Sequence, residues 1–371
     1  MNTFFHHSSC LLPQSSSIYS NSISPIDDSF QSKEVSKEED EKTYQILAVY
    51  GLFSIPDEVL EHSRQKLSNA CKSTNTLGTL IVTKEGINGT VCTPHEHAAS
   101  LMQELRSLQG KECNHTMKFN VSYSSKPVFD RLRIRRKAEV VTMGLESCCG
   151  ASLVDSSERG TYVNPEQWNN LLLDNSILVV DTRNDYEIHL GTFQGAVNPK
   201  ITSFSEFPDW LMKTTTSLTE PNEKRRYSGI AMFCTGGIRC EKSTTFCKKA
   251  LQSYFGDNIY HLDGGILRYL KEIPLEKSLW VGECFVFDHR ISVTHGVKET
   301  GTYKWCVHCK KRLSRAHESL CSFCHRTGQA APPHYNSATV EEKQQLDSST
   351  TIQKDDIEEE VLYYVRHLQS K

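Results

Sequence analysis

At 371 residues the chain can build two or three domains that each bury a core. A formal net charge of −3 excludes a global bias toward nucleic acid or membrane, so any basic surface is local. No run approaches the roughly 20 apolar residues of a spanning helix, which predicts a soluble protein with no membrane partner.

Fourteen cysteines, four of them in two CxxC pairs, fit a reducing compartment rather than a secreted disulfide scaffold. Residues 1–43 hold eleven serines, no acidic residue before Asp27 and no Lys or Arg before Lys33, then a charged run. That composition predicts a disordered leader: its early acid-free half suits a chloroplast transit peptide, while its lack of Lys and Arg suits an ordinary disordered terminus of a cytoplasmic protein.

From Tyr44 the pattern turns globular. Strands are expected at Gln45–Phe53, Leu77–Val82, Ile87–Cys92 and Met117–Tyr123, with helices from Pro56-Asp57 through Cys71 and over His95–Leu108. The order βαββαβ is that of a ferredoxin-like sandwich, expected over 44–145. Next, Arg131-Leu132-Arg133-Ile134-Arg135 alternates with period two, which puts Arg131, Arg133 and Arg135 on one side of a strand. With Lys126, Arg136 and Lys137 this gives six cations in twelve residues, either a solvated sheet face or a grip on RNA phosphates.

A linker is expected over 146–164; its vicinal pair Cys148-Cys149 is structurally incidental, since two neighbouring residues make no metal site alone. An α/β unit follows over 165–278. Ser176–Val180, Gly229–Phe233 and Asn258–Leu262 are apolar strands, with a shorter one near Ala196–Asn198. Helices are expected near Tyr186–Leu190, Phe204–Lys213, Cys240–Tyr254 and Ile266–Lys271, and the alternation predicts a parallel sheet covered on both faces.

Cys234 follows a buried strand and precedes a helix, the place where open α/β sheets hold ligands. In Cys234-Thr235-Gly236-Gly237-Ile238-Arg239 the two glycines let the backbone curl its N–H groups inward. The helix N-terminus and the Arg239 charge further favour an anion, so Cys234 is expected to be a thiolate near neutral pH and the nucleophile of the site. Cys240 is either a second thiol that resolves an oxidised or persulfidated Cys234, or a small residue at a helix start. Cys247 is expected in the core, and Asp181 with Arg183 is expected as a structural ion pair.

Over 279–330, Cys306-x2-Cys309-x11-Cys321-x2-Cys324 is a zinc signal: two thiolates on each tight turn close a tetrahedron. With all four positions sulfur, the ion is structural. Lys304, Lys310, Lys311, Arg312, Arg315 and Arg326 surround the quartet as in a nucleic-acid-gripping knuckle. The tail 331–371 is polar until Asp355, after which Ile357, Val361, Tyr364 and Leu368 mark one face of a short helix.

Asp181-Thr182-Arg183, Glu187, Gly191, Gly195-Ala196, the Cys234 loop and Asp263-Gly264-Gly265 together resemble the rhodanese homology domain, whose persulfide-carrying cysteine falls at Cys234. Thr192 stands where many rhodaneses have histidine. The likeness extends further. Lys84-Glu85-Gly86-Ile87-Asn88-Gly89-Thr90, Glu139-Val140-Val141-Thr142, Gly160-Thr161-Tyr162, Cys240-Glu241-Lys242 and Gly282-Glu283…Phe285-Val286-Phe287-Asp288…Arg290 are similar to the oxygen-dependent tRNA uridine hydroxylase family. The resemblance implies an acylphosphatase-like domain before the rhodanese domain, tRNA as partner, and hydroxylation of the wobble uridine at carbon five. Two other readings follow from the same motifs: a sulfurtransferase moving sulfane sulfur from thiosulfate or a persulfide, and a non-catalytic RNA-binding adaptor.

Overall fold

The computed structural model describes residues 44–109, 117–144, 158–218, 227–308 and 313–328. The serine-rich leader, Cys148-Cys149, Cys309 with Lys310 to Arg312, and the tail helix lie outside the described residues.

β1 (Tyr44–Leu52), α1 (Asp57–Ser73), β2 (Leu77–Thr83), β3 (Gly86–Pro94), α2 (His95–Ser107) and β4 (Lys118–Ser124) follow the expected βαββαβ order. α1 opens with Asp57 and Glu58, carboxylates that favour a helix N-terminus, and buries Leu60, Leu67 and Cys71 along one face. Period-two residues Leu47, Val49, Leu80 and Val82 meet Leu60, Leu67, Leu101 and Leu105 in the core of this domain. The sheet order is β4-β1-β3-β2-β5, where the added edge strand β5 (Leu132–Arg136) runs parallel to β2.

The second domain holds a parallel sheet in the order β6 (Thr161–Val163), β10 (Ile259–Leu262), β9 (Gly229–Phe233), β7 (Ile177–Asp181), with the short helix α4 (Asp185–Ile188) following β7. β7 (Ile177–Asp181) and β9 (Gly229–Phe233) send Val179, Ala231 and Phe233 to one side and Leu178, Val180, Ile230 and Met232 to the other. Trp168 of α3 (Pro165–Leu173) and Ile266, Tyr269 and Leu270 of α7 (Gly265–Glu272) cover the first face. Phe207 and Leu211 of α5 (Phe207–Leu218), with Cys240, Cys247, Leu251 and Phe255 of α6 (Ile238–Phe255), cover the second. Both layers are therefore closed, as continuous apolar strands require.

Three details differ from the sequence reading. β6 (Thr161–Val163) lies inside the expected linker yet pairs with β10 (Ile259–Leu262) as the sheet's edge. Three residues are too few for periodicity to register. Second, the strand expected near Ala196 is instead β8 (Gly191–Phe193), which pairs with β11 (Trp280–Gly282), while Val197 makes only an isolated bridge to Val180. Third, α6 begins at Ile238 rather than Cys240, because left-handed Gly237 caps it.

After β11 come β12 (Cys284–Phe285), β13 (Ser292–Thr294) and β14 (Lys298–Glu299), then the hairpin of β15 (Tyr303–Trp305) and β16 (Leu313–Arg315) and the short α8 (Ser322–Thr327). No helix among the described residues is long and apolar enough to cross a membrane.

Candidate functional site

β9 is buried along its whole length and delivers Cys234 to its C-terminal end, with the residue only 2% exposed. The turn is held by close backbone approaches that only glycine permits. Gly237 has φ 108°, and a Cβ there would stand 2.8 Å from the Tyr50 hydroxyl. Gly265 has φ 63°, and a Cβ would fall 2.5 Å from the Cys234 carbonyl oxygen. That approach lets the Ile266 and Leu267 N–H groups donate to the Cys234 and Thr235 carbonyls, each at 3.0 Å. The glycine pair after Asp263 thus docks the start of α7 onto the Cys234 loop.

The expected cradle is smaller than the full loop. The Gly237 N–H donates to Cys234 Sγ at 3.2 Å, and the Cys240 N–H also donates. Burial opposes the Cys234 anion, but the Cys240 thiol as donor, the Arg239 charge and these two N–H groups outweigh it. The thiol is lowered to about 7. Cys240 is pushed the opposite way, first by burial and then by the Cys234 anion beside it, so it stays a thiol donor. The expected second sulfur is therefore beside Cys234. The Thr235 hydroxyl is buried in the loop without a hydrogen-bond partner among the described residues.

Arg239 turns its fork to buried Glu187, at 2.8 and 3.2 Å, rather than to the sulfur. Its charge reaches Cys234 through space, tempered by that carboxylate. Asp181 and Arg183 form the expected structural pair, bidentate at 2.9 and 2.7 Å and fully buried. Thr192 donates to the same Asp181 at 2.8 Å. We expect the alkylation rate of Cys234, followed by peptide mapping, to rise with pH through a midpoint of about 7 as the anion forms. A midpoint near the ordinary thiol value would refute the cradle.

The residues around this loop that sequence reasoning left without roles come from both domains. Glu241, 1% exposed, accepts from Tyr50 at 2.9 Å and from Tyr162 at 2.7 Å, with Arg159 at 3.6 Å. Lys242, fully buried, donates to Glu85 at 3.0 Å and to Glu139 at 2.6 Å. Lys118 reaches Asp263 at 2.5 Å, and Asn120 donates to the Gly264 carbonyl at 3.0 Å. The only sequence signal was that Glu85, Glu139, Tyr162, Glu241 and Lys242 sit inside the family-like motifs. His261 packs on the Tyr162 ring at 4.1 Å, and burial pushes its imidazole down to about 4, so it is neutral.

The arginine strand and the cysteine quartet lie elsewhere. Leu132 and Ile134 pack on the first core, leaving Arg131 and Arg135 exposed and Arg133 half-buried, with no ion pair to any of the three among the described residues. Arg131 precedes the strand, and Arg136, on the helix-facing side, pairs with Asp57 at 2.8 Å. Cys306, Cys321 and Cys324 are buried with their sulfurs within 4.8 Å of one another, and the Cys321 N–H donates to Cys306 Sγ at 3.2 Å. Clustered soft donors of this kind suit a thiophilic metal ion. Cys309 lies outside the described residues, so three of the four expected ligands are seen together.

Three family models match the chain in order: a UPF0176 acylphosphatase-like domain over 44–140, a rhodanese-like domain over 164–272 and a rhodanese C-terminal domain over 281–335. The tRNA uridine(34) hydroxylase of Teredinibacter turnerae is 41% identical over 300 residues, covering 81% of this chain and 86% of its own. That of Prochlorococcus marinus is 42% identical over 287 residues, covering 77% and 83%. Among solved structures, an acylphosphatase from Coxiella burnetii is 9% identical over 25% of this chain and 94% of its own, with a TM-score of 0.20 that supports no argument. Identity above 40% across most of both chains, through all three segments, is decisive: the chain belongs to the tRNA uridine(34) hydroxylase family.

Proposed function

We propose that this protein hydroxylates the uridine at position 34 of tRNA, with Cys234 as the group that carries the chemistry. The observation that supports this most directly is the Cys234 thiol, lowered to about 7 in a loop closed by both domains. A nucleophile of that kind is about half anionic at pH 7 and stays shielded from bulk solvent. Arg131, Arg133 and Arg135 serve as phosphate contacts on the sheet edge. The reading is tested by nucleoside mass spectrometry of tRNA from cells lacking the endogenous enzyme. This chain should restore hydroxyuridine, and its continued absence with folded protein present would refute the assignment.

Cys306, Cys309, Cys321 and Cys324 hold one structural zinc ion in this reading. Such sites contribute roughly 10–16 kcal/mol of apparent binding energy, so the module depends on its metal. Cys321→Ser should lower zinc in the purified protein and open the region beyond Thr300 to protease. Full zinc content in that variant would mean that other ligands hold the ion.

A further inference from the structure

Phe287 departs from the pattern of its own segment. Its neighbours Phe285, Val286 and Asp288 are buried, whereas Phe287 is 55% exposed. A lone apolar side chain at the surface is ordinary. This one is held rigidly. The Val286 N–H donates to the Ile291 carbonyl at 2.8 Å, Asp288 grips Arg290 at 2.9 and 2.7 Å, and Arg290 reaches Ser122 of the first sheet at 3.0 Å. Phe285 meets the Phe287 ring edge-on at 5.1 Å and is itself met edge-on by Tyr186 at 5.4 Å.

The ring also stands at the reactive loop, with the Arg239 guanidinium carbon 6.0 Å from its centroid. A fixed aromatic face on which a base can stack is a recurring element of single-stranded nucleic acid recognition. A base must also leave its stack to reach a buried reactive atom.

We propose that Phe287 is the stacking platform on which the target pyrimidine lies when it is presented to Cys234. This rests on the reading of the chain as a tRNA uridine hydroxylase. The ring supplies a preorganised apolar face beside the Cys234 loop.

The test uses the full chain with Phe287 replaced by Ala, Leu or Trp. Base–aromatic stacking predicts that Ala and Leu lose roughly 10- to 100-fold in kcat/KM for tRNA, while Trp stays near wild type. Alkylation of Cys234 by iodoacetamide should be unchanged in all three, since that reagent needs no platform. Trp fluorescence added by Phe287→Trp should be quenched by an anticodon stem-loop RNA and not by the same RNA with an abasic target position. Leu as active as wild type, equal quenching by the abasic RNA, or a parallel fall in Cys234 alkylation would each overturn the proposal. If the stem-loop quenches base-dependently but wild type forms no hydroxyuridine, the functional reading fails and the platform stands. If wild type hydroxylates without such quenching, the platform fails alone.

Discussion

Cys234→Ser should bring hydroxyuridine formation to background while leaving tRNA affinity unchanged. The substitution removes one sulfur and little volume, so the β9 end and the docked start of α7 remain in place. Those interactions run through the Cys234 carbonyl and the Gly265 backbone rather than through the thiol. Serine at this position stays protonated at neutral pH, because a hydroxyl lies far above the range that the Gly237 and Cys240 N–H groups and Arg239 can reach. Losing a nucleophile outright costs about a thousandfold or more in rate. Replacing Arg131, Arg133 and Arg135 by Gln makes the opposite separation. Binding should weaken, and the slope of log affinity against log salt should shrink by about 0.7–0.9 for each phosphate no longer neutralised. Hydroxyuridine formed by a folded Cys234→Ser protein would remove Cys234 from the chemistry. An unchanged salt slope in the triple variant would make the strand a solvated face.

Lys242→Met should destabilise the protein by about 3–5 kcal/mol, the scale of stranding buried charge. The ammonium is fully buried between Glu85 of the first domain and Glu139 of the segment beyond β5. Both carboxylates keep backbone donors after the change: Val140 on Glu85, and Met143 and Gly144 on Glu139. Neither keeps a counter-ion. Burial pushes the Glu139 carboxyl up, but Lys242 and the backbone donors hold it below its usual value. A depressed carboxyl contributes stability above its unfolded value, and that contribution is lost as pH falls through the folded value. In the Met variant Glu139 loses the lysine that held it down while burial still opposes its charge, so that cost is present at neutral pH and fades as Glu139 protonates. Urea unfolding should therefore show the largest difference between the proteins near pH 7, shrinking as pH falls toward and then through the ordinary carboxylate value of about 4. A destabilisation under about 1 kcal/mol, the scale of an exposed pair, would mean that the lysine is not a buried tie between the domains. Adding Glu85→Gln and Glu139→Gln should recover part of the stability.

Local chemistry made much of this protein readable in one dimension. Period-two and period-3.6 patterns located the first five strands and two helices, because each element buries one face and repeats it. The Cys234 loop was legible because glycines, arginine and a strand–helix boundary fall within six residues. Cys247 and the Asp181–Arg183 pair were legible for the same local reason, as was the spacing of Cys306, Cys321 and Cys324. Short elements were not, since β6 and β8 are defined by partners far along the chain rather than by their own pattern. Tertiary structure alone decided what surrounds the thiol. Tyr50 meets Glu241 across 191 positions, and Lys242 meets Glu85 across 157. No periodicity couples residues so distant, and in the sequence each looks like an ordinary surface charge or strand tyrosine. Folding also turned Arg239 toward Glu187 and left Phe287 facing outward beside it, because side-chain direction follows from packing that the sequence does not display. The sequence thus determined which sulfur sits in the glycine-rich strand–helix loop and the family to which the chain belongs. The fold decided which neighbours make that sulfur an anion and what stands at its mouth, because burial and charge compensation are properties of juxtaposed segments.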